Sequence, residues 1–132
     1  MTYSSGHPWY YLLGGKILPP RKILQDAIAC KYQGYARDDI AAIDKKAEPI
    51  RSESLRKLKA KFYADYKQDL SRYRELACQL HKDRKSGLDD PEHPVCRDIH
   101  TNISLKHNHL FNNLAHLHYI DELLSYQADL FG

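Results

Sequence analysis

Apolar residues fall at steps of three and four along most of this chain, and that period predicts helices. The clearest run is Leu55, Leu58, Phe62, Tyr66, Leu70, Tyr73, Ala77 and Leu80. It marks one stripe on a helix from about residue 49 to 85, roughly 35 residues and about 50 Å long at 1.5 Å per residue. Pro49 suits its first turn, where a missing N–H costs nothing, and Ser86-Gly87 ends it. A polar, proline-pinned turn follows, Asp89-Asp90-Pro91-Glu92-His93-Pro94. A second long helix is expected over about 95–126. Its Ile103, Leu110, Leu117 and Leu124 repeat every seven residues, joined by Ile99, Leu114 and Ile120, which is a coiled-coil-like seam. Two long helices with facing stripes and a short turn make an antiparallel hairpin.

Two shorter helices precede the hairpin. Ile23, Leu24, Ala27 and Ile28 share a face between Arg21 and Tyr32, with Gly34 as the expected stop. Ile40, Ile43 and Ala47 define a second segment, Ala36 to Ala47. The pair has the size of a DNA-reading helix–turn–helix. However, Arg37-Asp38-Asp39 would point carboxylates at phosphates, so a structural helical pair is the preferred reading. Residues 1–20 carry Gly6, Pro8, Gly14, Gly15, Pro19 and Pro20 around Trp9-Tyr10-Tyr11-Leu12-Leu13. That composition predicts an irregular arm whose aromatic cluster packs back on the helical body, with base or partner stacking as the alternative. The expectation is an all-α protein: an arm (1–20), one helical domain (21–126) and a tail (127–132).

Composition narrows the function classes. With 42% apolar and 28% charged residues, 132 residues support one globular domain with a modest core. The apolar stretch Trp9–Leu13 is too short to span a bilayer or serve as a secretion signal. Three cysteines without CxxC spacing fit free thiols in a reducing cytoplasm. No cofactor motif, nucleophile constellation or phosphate-cradling glycine loop occurs, so a non-enzymatic protein is expected. Five of the eight histidines lie between His100 and His118, but at spacings of seven and two. One helix cannot bring such a set to one metal ion, so they are read as polar packers beside the seam.

Charge is uneven. Residues 51–85 carry a net +6, residues 86–132 a net −5, and residues 1–50 a net +2. Part of this asymmetry is met by pairing across the hairpin. The cluster Arg51, Arg56, Lys57, Lys59 and Lys61 faces only Asp121, Glu122 and Asp129 at its end of the hairpin. It is therefore the candidate for contact with DNA phosphates, the alternative being a solvated helix face.

The final residues, Gln127-Ala128-Asp129-Leu130-Phe131-Gly132, carry the most specific signal. They resemble the short peptide by which bacterial polymerases, mismatch-repair proteins and mobile-element factors dock on the ring-shaped DNA sliding clamp. The pattern is glutamine, a variable residue, a small polar or acidic residue, then Leu-Phe. By that resemblance Gln127 hydrogen-bonds at the groove's entry, Asp129 takes the small acidic position, and Leu130 and Phe131 fill an apolar pocket. Position 128 is alanine where leucine or methionine is common. The competing reading is that Phe131 continues the seven-residue series as core.

A second stretch, Tyr66 to Leu80 with Leu110, Leu117, Ile120 and Asp121, is similar to the helical hairpin of primosomal replication-restart protein C. That family acts at stalled forks with single-strand-binding protein and the replicative helicase. Together the resemblances imply an accessory or regulator of bacterial, phage or plasmid DNA replication or repair. Two alternatives stay open: a self-associating helical interaction module or phage-type inhibitor, and a helix–turn–helix regulator.

Overall fold

The computed structural model describes the backbone of residues 17–87 and 94–131, with side chains over 17–87, 94 and 97–125. Among the described residues four helices follow in order: α1 (Pro20–Ala29), α2 (Arg37–Asp44), α3 (Ile50–Lys85) and α4 (Pro94–Phe131). The expected hairpin with a short helical pair before it is present, and no strand occurs among the described residues. The expected arm (1–16 of it) and the tail side chains lie outside the described residues. Among the described residues no helix is long and apolar enough to cross a membrane.

Local signals set the ends of α1 and α3 and the start of α2. Pro20 opens α1, where its fixed φ suits the first turn. The helix stops earlier than Gly34. Lys31 takes a left-handed φ of 56°, and the Tyr32 N–H reaches back to the Ala27 carbonyl at 2.9 Å, closing a Schellman-type end. Asp38 and Asp39 sit in the first turn of α2, where carboxylates meet the positive end of the helix dipole. Glu48 caps α3 by accepting from the Ser52 N–H at 3.0 Å and from its hydroxyl. Lys82, Arg84 and Lys85 occupy the last turn of α3, and Gly87 follows it at φ +81°.

α3 and α4 run antiparallel. Lys59 meets Asp121, Phe62 meets His116, and Asp69 meets Asn113, so partner numbers fall as α3 numbers rise. α4 is the central element, because it meets all three other helices: α3 along its length, α1 beside it, and α2, which rests chiefly against α3. Enclosed between α3, α1 and the α1–α2 turn, every residue from Asn112 to His116 is buried.

Among the described residues the interior is two apolar clusters. One holds Ile23, Tyr73, Leu76, Leu80, Ile103, Leu110 and Leu114, with Ile17 and Leu18 packed against it. The other holds Ala36, Ile40, Leu55, Phe62 and Ile120. Between them lies a polar layer around Asp69, which accepts from Lys106 at 3.0 Å and from Asn113 at 3.0 Å. Asn112 joins it by accepting from the Tyr32 hydroxyl. A charged, hydrogen-bonded layer of this kind is satisfied at one register only, so a one-turn slip of α4 against α3 would strand it.

Candidate functional site

Helical geometry disperses the cation cluster expected on α3. At about 100° per residue, consecutive cations point in different directions. Arg51 falls on the inward side and is buried. Its Nη2 donates to the Leu123 carbonyl at 3.0 Å, and its guanidinium pairs with Asp44 at 2.7 Å and with Glu48 at 3.8 Å. It is a brace among α2, α3 and α4, turned away from the surface where a phosphate would lie. Lys59 spans the hairpin to Asp121 at 2.6 Å, both partly exposed. An exposed pair of this kind contributes little to stability and opens readily to an incoming phosphate. Arg56, Lys57 and Lys61 are exposed. Arg56 lies on one flank of the helix, Lys57 and Lys61 on the other.

The sequence reading missed the cations that do align. At about 100° per residue, Arg56, Tyr63, Lys67, Arg74, His81 and Lys85 fall within an arc of about 40°. All six are exposed. Tyr63 is half exposed, its ring stacked on Tyr66 at 6.2 Å with the Lys67 ammonium 4.9 Å from its centroid. The steps of seven, four, seven, seven and four were visible in the sequence. A linear run of cations hides them, because a run spreads around the helix while a stripe needs this spacing.

The side chains of the docking residues Gln127, Asp129, Leu130 and Phe131 lie outside the described residues, but their backbone continues α4 to Phe131, where the sequence reading ended the helix at about 126. The turn before them is tied down by Arg51 at Leu123.

The histidines divide by burial. His109 stands 3.7 Å from Asp69, and His118 2.8 Å from Glu122, both at the surface. His100, His107 and His116 are buried. No group of three His, Cys, Asp or Glu side chains among the described residues is placed to hold a metal ion. The thiols of Cys30 and Cys78 are free and exposed.

His116 has a specific task. Its Nε2 accepts the Ala36 N–H at 3.1 Å, and its ring packs against Tyr35 at 4.7 Å and Phe62 at 4.3 Å. It thus pins the α1–α2 turn to α4. Burial pushes its pKa down from 6.5 to about 4, because a charged imidazole there would lose its water. Burial lowers His107 as well, with Asp26 opposing.

The sign of the linkage follows. Above pH 6.5 neither the folded nor the unfolded state protonates His116. Below 6.5 the unfolded chain binds a proton that the native site refuses, so stability falls until about pH 4. The full window is worth on the order of 3 kcal/mol. Urea unfolding at pH 7 and pH 4.5 is expected to show this loss in the wild type, and a smaller one in His116→Asn. Equal slopes in the two proteins would remove His116 as the source.

The fold is thus a helical hairpin braced by a helical pair, with a basic and aromatic stripe on the outer flank of its first long helix. No known protein family, curated protein or solved structure matches this chain.

Proposed function

We propose that this protein is a non-enzymatic accessory or regulator of bacterial, phage or plasmid DNA replication or repair that docks on the sliding clamp through residues 127–131. The observation that carries the reading is the sequence Gln127-Ala128-Asp129-Leu130-Phe131, in which every specified position of the clamp-docking pattern is filled. Two features support it. Arg51 holds α4 at Leu123, one turn before the peptide, which leaves the last turn of the helix as the part that would unwind into a groove. The exposed cations of α3 give a DNA-bound ring a second point of contact.

A peptide with two apolar anchors gains little after paying its ordering cost, so docking by this segment alone is weak. Contact with the DNA that the clamp encircles raises the effective concentration and strengthens the assembly without new clamp contacts.

The test is a titration of labelled full-length protein with purified bacterial clamp, comparing wild type with Leu130→Ala/Phe131→Ala. Saturable binding that the double variant loses at least about tenfold is the expected result, being the loss of roughly 1.4 kcal/mol or more of anchor burial. Equal binding by both, or none by either, discards the clamp. Circular dichroism of the variant reads out the competing role of Phe131 as core. A folded variant without clamp binding supports docking, and an unfolded one returns Phe131 to the helix seam.

A further inference from the structure

We propose that the outer flank of α3 is a binding face for single-stranded nucleic acid, with Arg56, Lys67, Arg74 and Lys85 on the phosphates and Tyr63 against a base. This deepens the nucleic-acid contact in the reading above by naming its strand class, and it operates without the clamp.

Three observations carry it. The first is sign. Three of the four acidic residues of α3 between 56 and 85 are turned away from this row, and the fourth, Glu75, borders it. Asp69 is spent on Lys106 and Asn113, and Asp83 is buried and accepts from Gln79. Asp65 lines the cleft between α3 and α4 with Gln68 and Asn112, and Glu75, beside Lys67 and Arg74, is offset by its pair with Arg72. The flank is therefore net basic, and a polyanion is the complementary partner.

The second is shape. From Arg56 to Lys85 the row spans 29 steps, about 43 Å, and it runs along the helix axis without winding around it. A duplex carries its phosphates around a helix of about 34–36 Å per turn, so a row that does not wind leaves either backbone over that length. A flexible single strand can follow it.

The third is the aromatic. Tyr63 stands within the row, half exposed, with a flexible Lys67 ammonium over its ring. A base can take the place of that ammonium, and Lys67 then swings to the adjoining phosphate. Base stacking of this kind is tolerant of sequence and is closed to a paired duplex. An acidic peptide would use the cations and leave Tyr63 idle.

The experiment is fluorescence anisotropy of the full chain, without clamp, with a labelled oligothymidylate of about 15 nucleotides and a duplex of equal length, at about 50 and 200 mM salt. Wild type is expected to favour the single strand. Lys67→Ala/Arg74→Ala should weaken it and flatten the salt slope by about 1.4, as two lost phosphate contacts require for a single strand. Tyr63→Ala should weaken it about tenfold with the slope unchanged, and Tyr63→Phe should retain it. Lys57→Ala/Lys61→Ala, on the opposite flank, is the control and should change little. Circular dichroism confirms that these surface variants fold.

Equal affinity for duplex, loss equal in the two lysine-containing double variants, or full displacement by polyglutamate at matched charge each overturns the proposal. Absence of binding at low salt does so as well. Because clamp is absent from this titration and nucleic acid from the one above, failure of either leaves the other standing.

Discussion

Gly34→Ala is expected to be the most damaging small substitution in the described structure, costing about 3 kcal/mol and lowering the melting temperature by about 10 °C for a domain of this size. Two penalties combine. Gly34 holds φ at +88°, where an alanine loses roughly 1–2 kcal/mol. Its Cβ would also stand 2.1 Å from Cδ2 and from Nε2 of His116, a ring with no exposed surface to retreat to. Relieving that overlap means breaking the Ala36 N–H bond to Nε2, which fixes the α1–α2 turn.

Gly87→Ala supplies the comparison. Gly87 has nearly the same φ, +81°, but nothing lies within 4 Å of its added Cβ. It should lose only the backbone term, about 1 kcal/mol. Thermal unfolding of both variants separates the contributions, and equal losses would remove His116 from the account. A double-mutant cycle checks the contact itself: in a His116→Ala background, Gly34→Ala should cost less than in the wild type.

That glycine illustrates how far the sequence could be read. Its position between two helical patterns predicted a stop, and a stop occurs nearby. However, Lys31 performs it, and the glycine is needed for a ring 82 residues further on. Local signals reveal that the chain turns there, not which distant side chain presses on the turn.

The hairpin was legible because a period of 3.6 needs no knowledge of the partner. Leu55, Phe62, Tyr73, Leu80, Ile103, Leu110 and Ile120 all lie buried as their spacing predicts. Leu76 was passed over for Ala77, since both continue the series from Tyr73 to Leu80. The larger side chain is the one that faces the core. Asn112, Asn113, His107 and His116 were not legible as interior residues. Their burial comes from partners remote in sequence, Tyr32 for Asn112, Asp69 for Asn113, and the α1–α2 turn with Phe62 for His116, a tertiary fact without a periodic signature. The five-cation run of Arg51 to Lys61 misled for a related reason. Density along the chain is not density on a surface, and α3 sends Arg51 inward, Lys59 across to Asp121, and the remaining three to two different flanks.

Arg51→Ala should destabilise the fold by about 3 kcal/mol, comparable to Gly34→Ala although the residue is charged. Removal leaves Asp44 without its shortest partner and the Leu123 carbonyl without the guanidinium that now bonds to it. The figure sits at the low end for a broken buried pair, because Asp44 and Glu48 are partly exposed and water can recover them. Arg51→Met should recover part of the loss by keeping the stem packed, and Arg51→Lys should not restore the fork that serves a carboxylate and a carbonyl together. Guanidinium unfolding of the three variants measures the order, and a wild-type-like Arg51→Ala would show that the brace holds nothing. The same variants separate structure from recognition. Arg51→Met, studied where it stays folded, should leave the salt slope of nucleic-acid binding unchanged, whereas the Lys67→Ala/Arg74→Ala variant should flatten it at wild-type stability. A flattened slope in Arg51→Met would mean that this buried guanidinium reaches a phosphate after all. The interface would then lie at the α2–α3 corner instead of along the outer flank of α3.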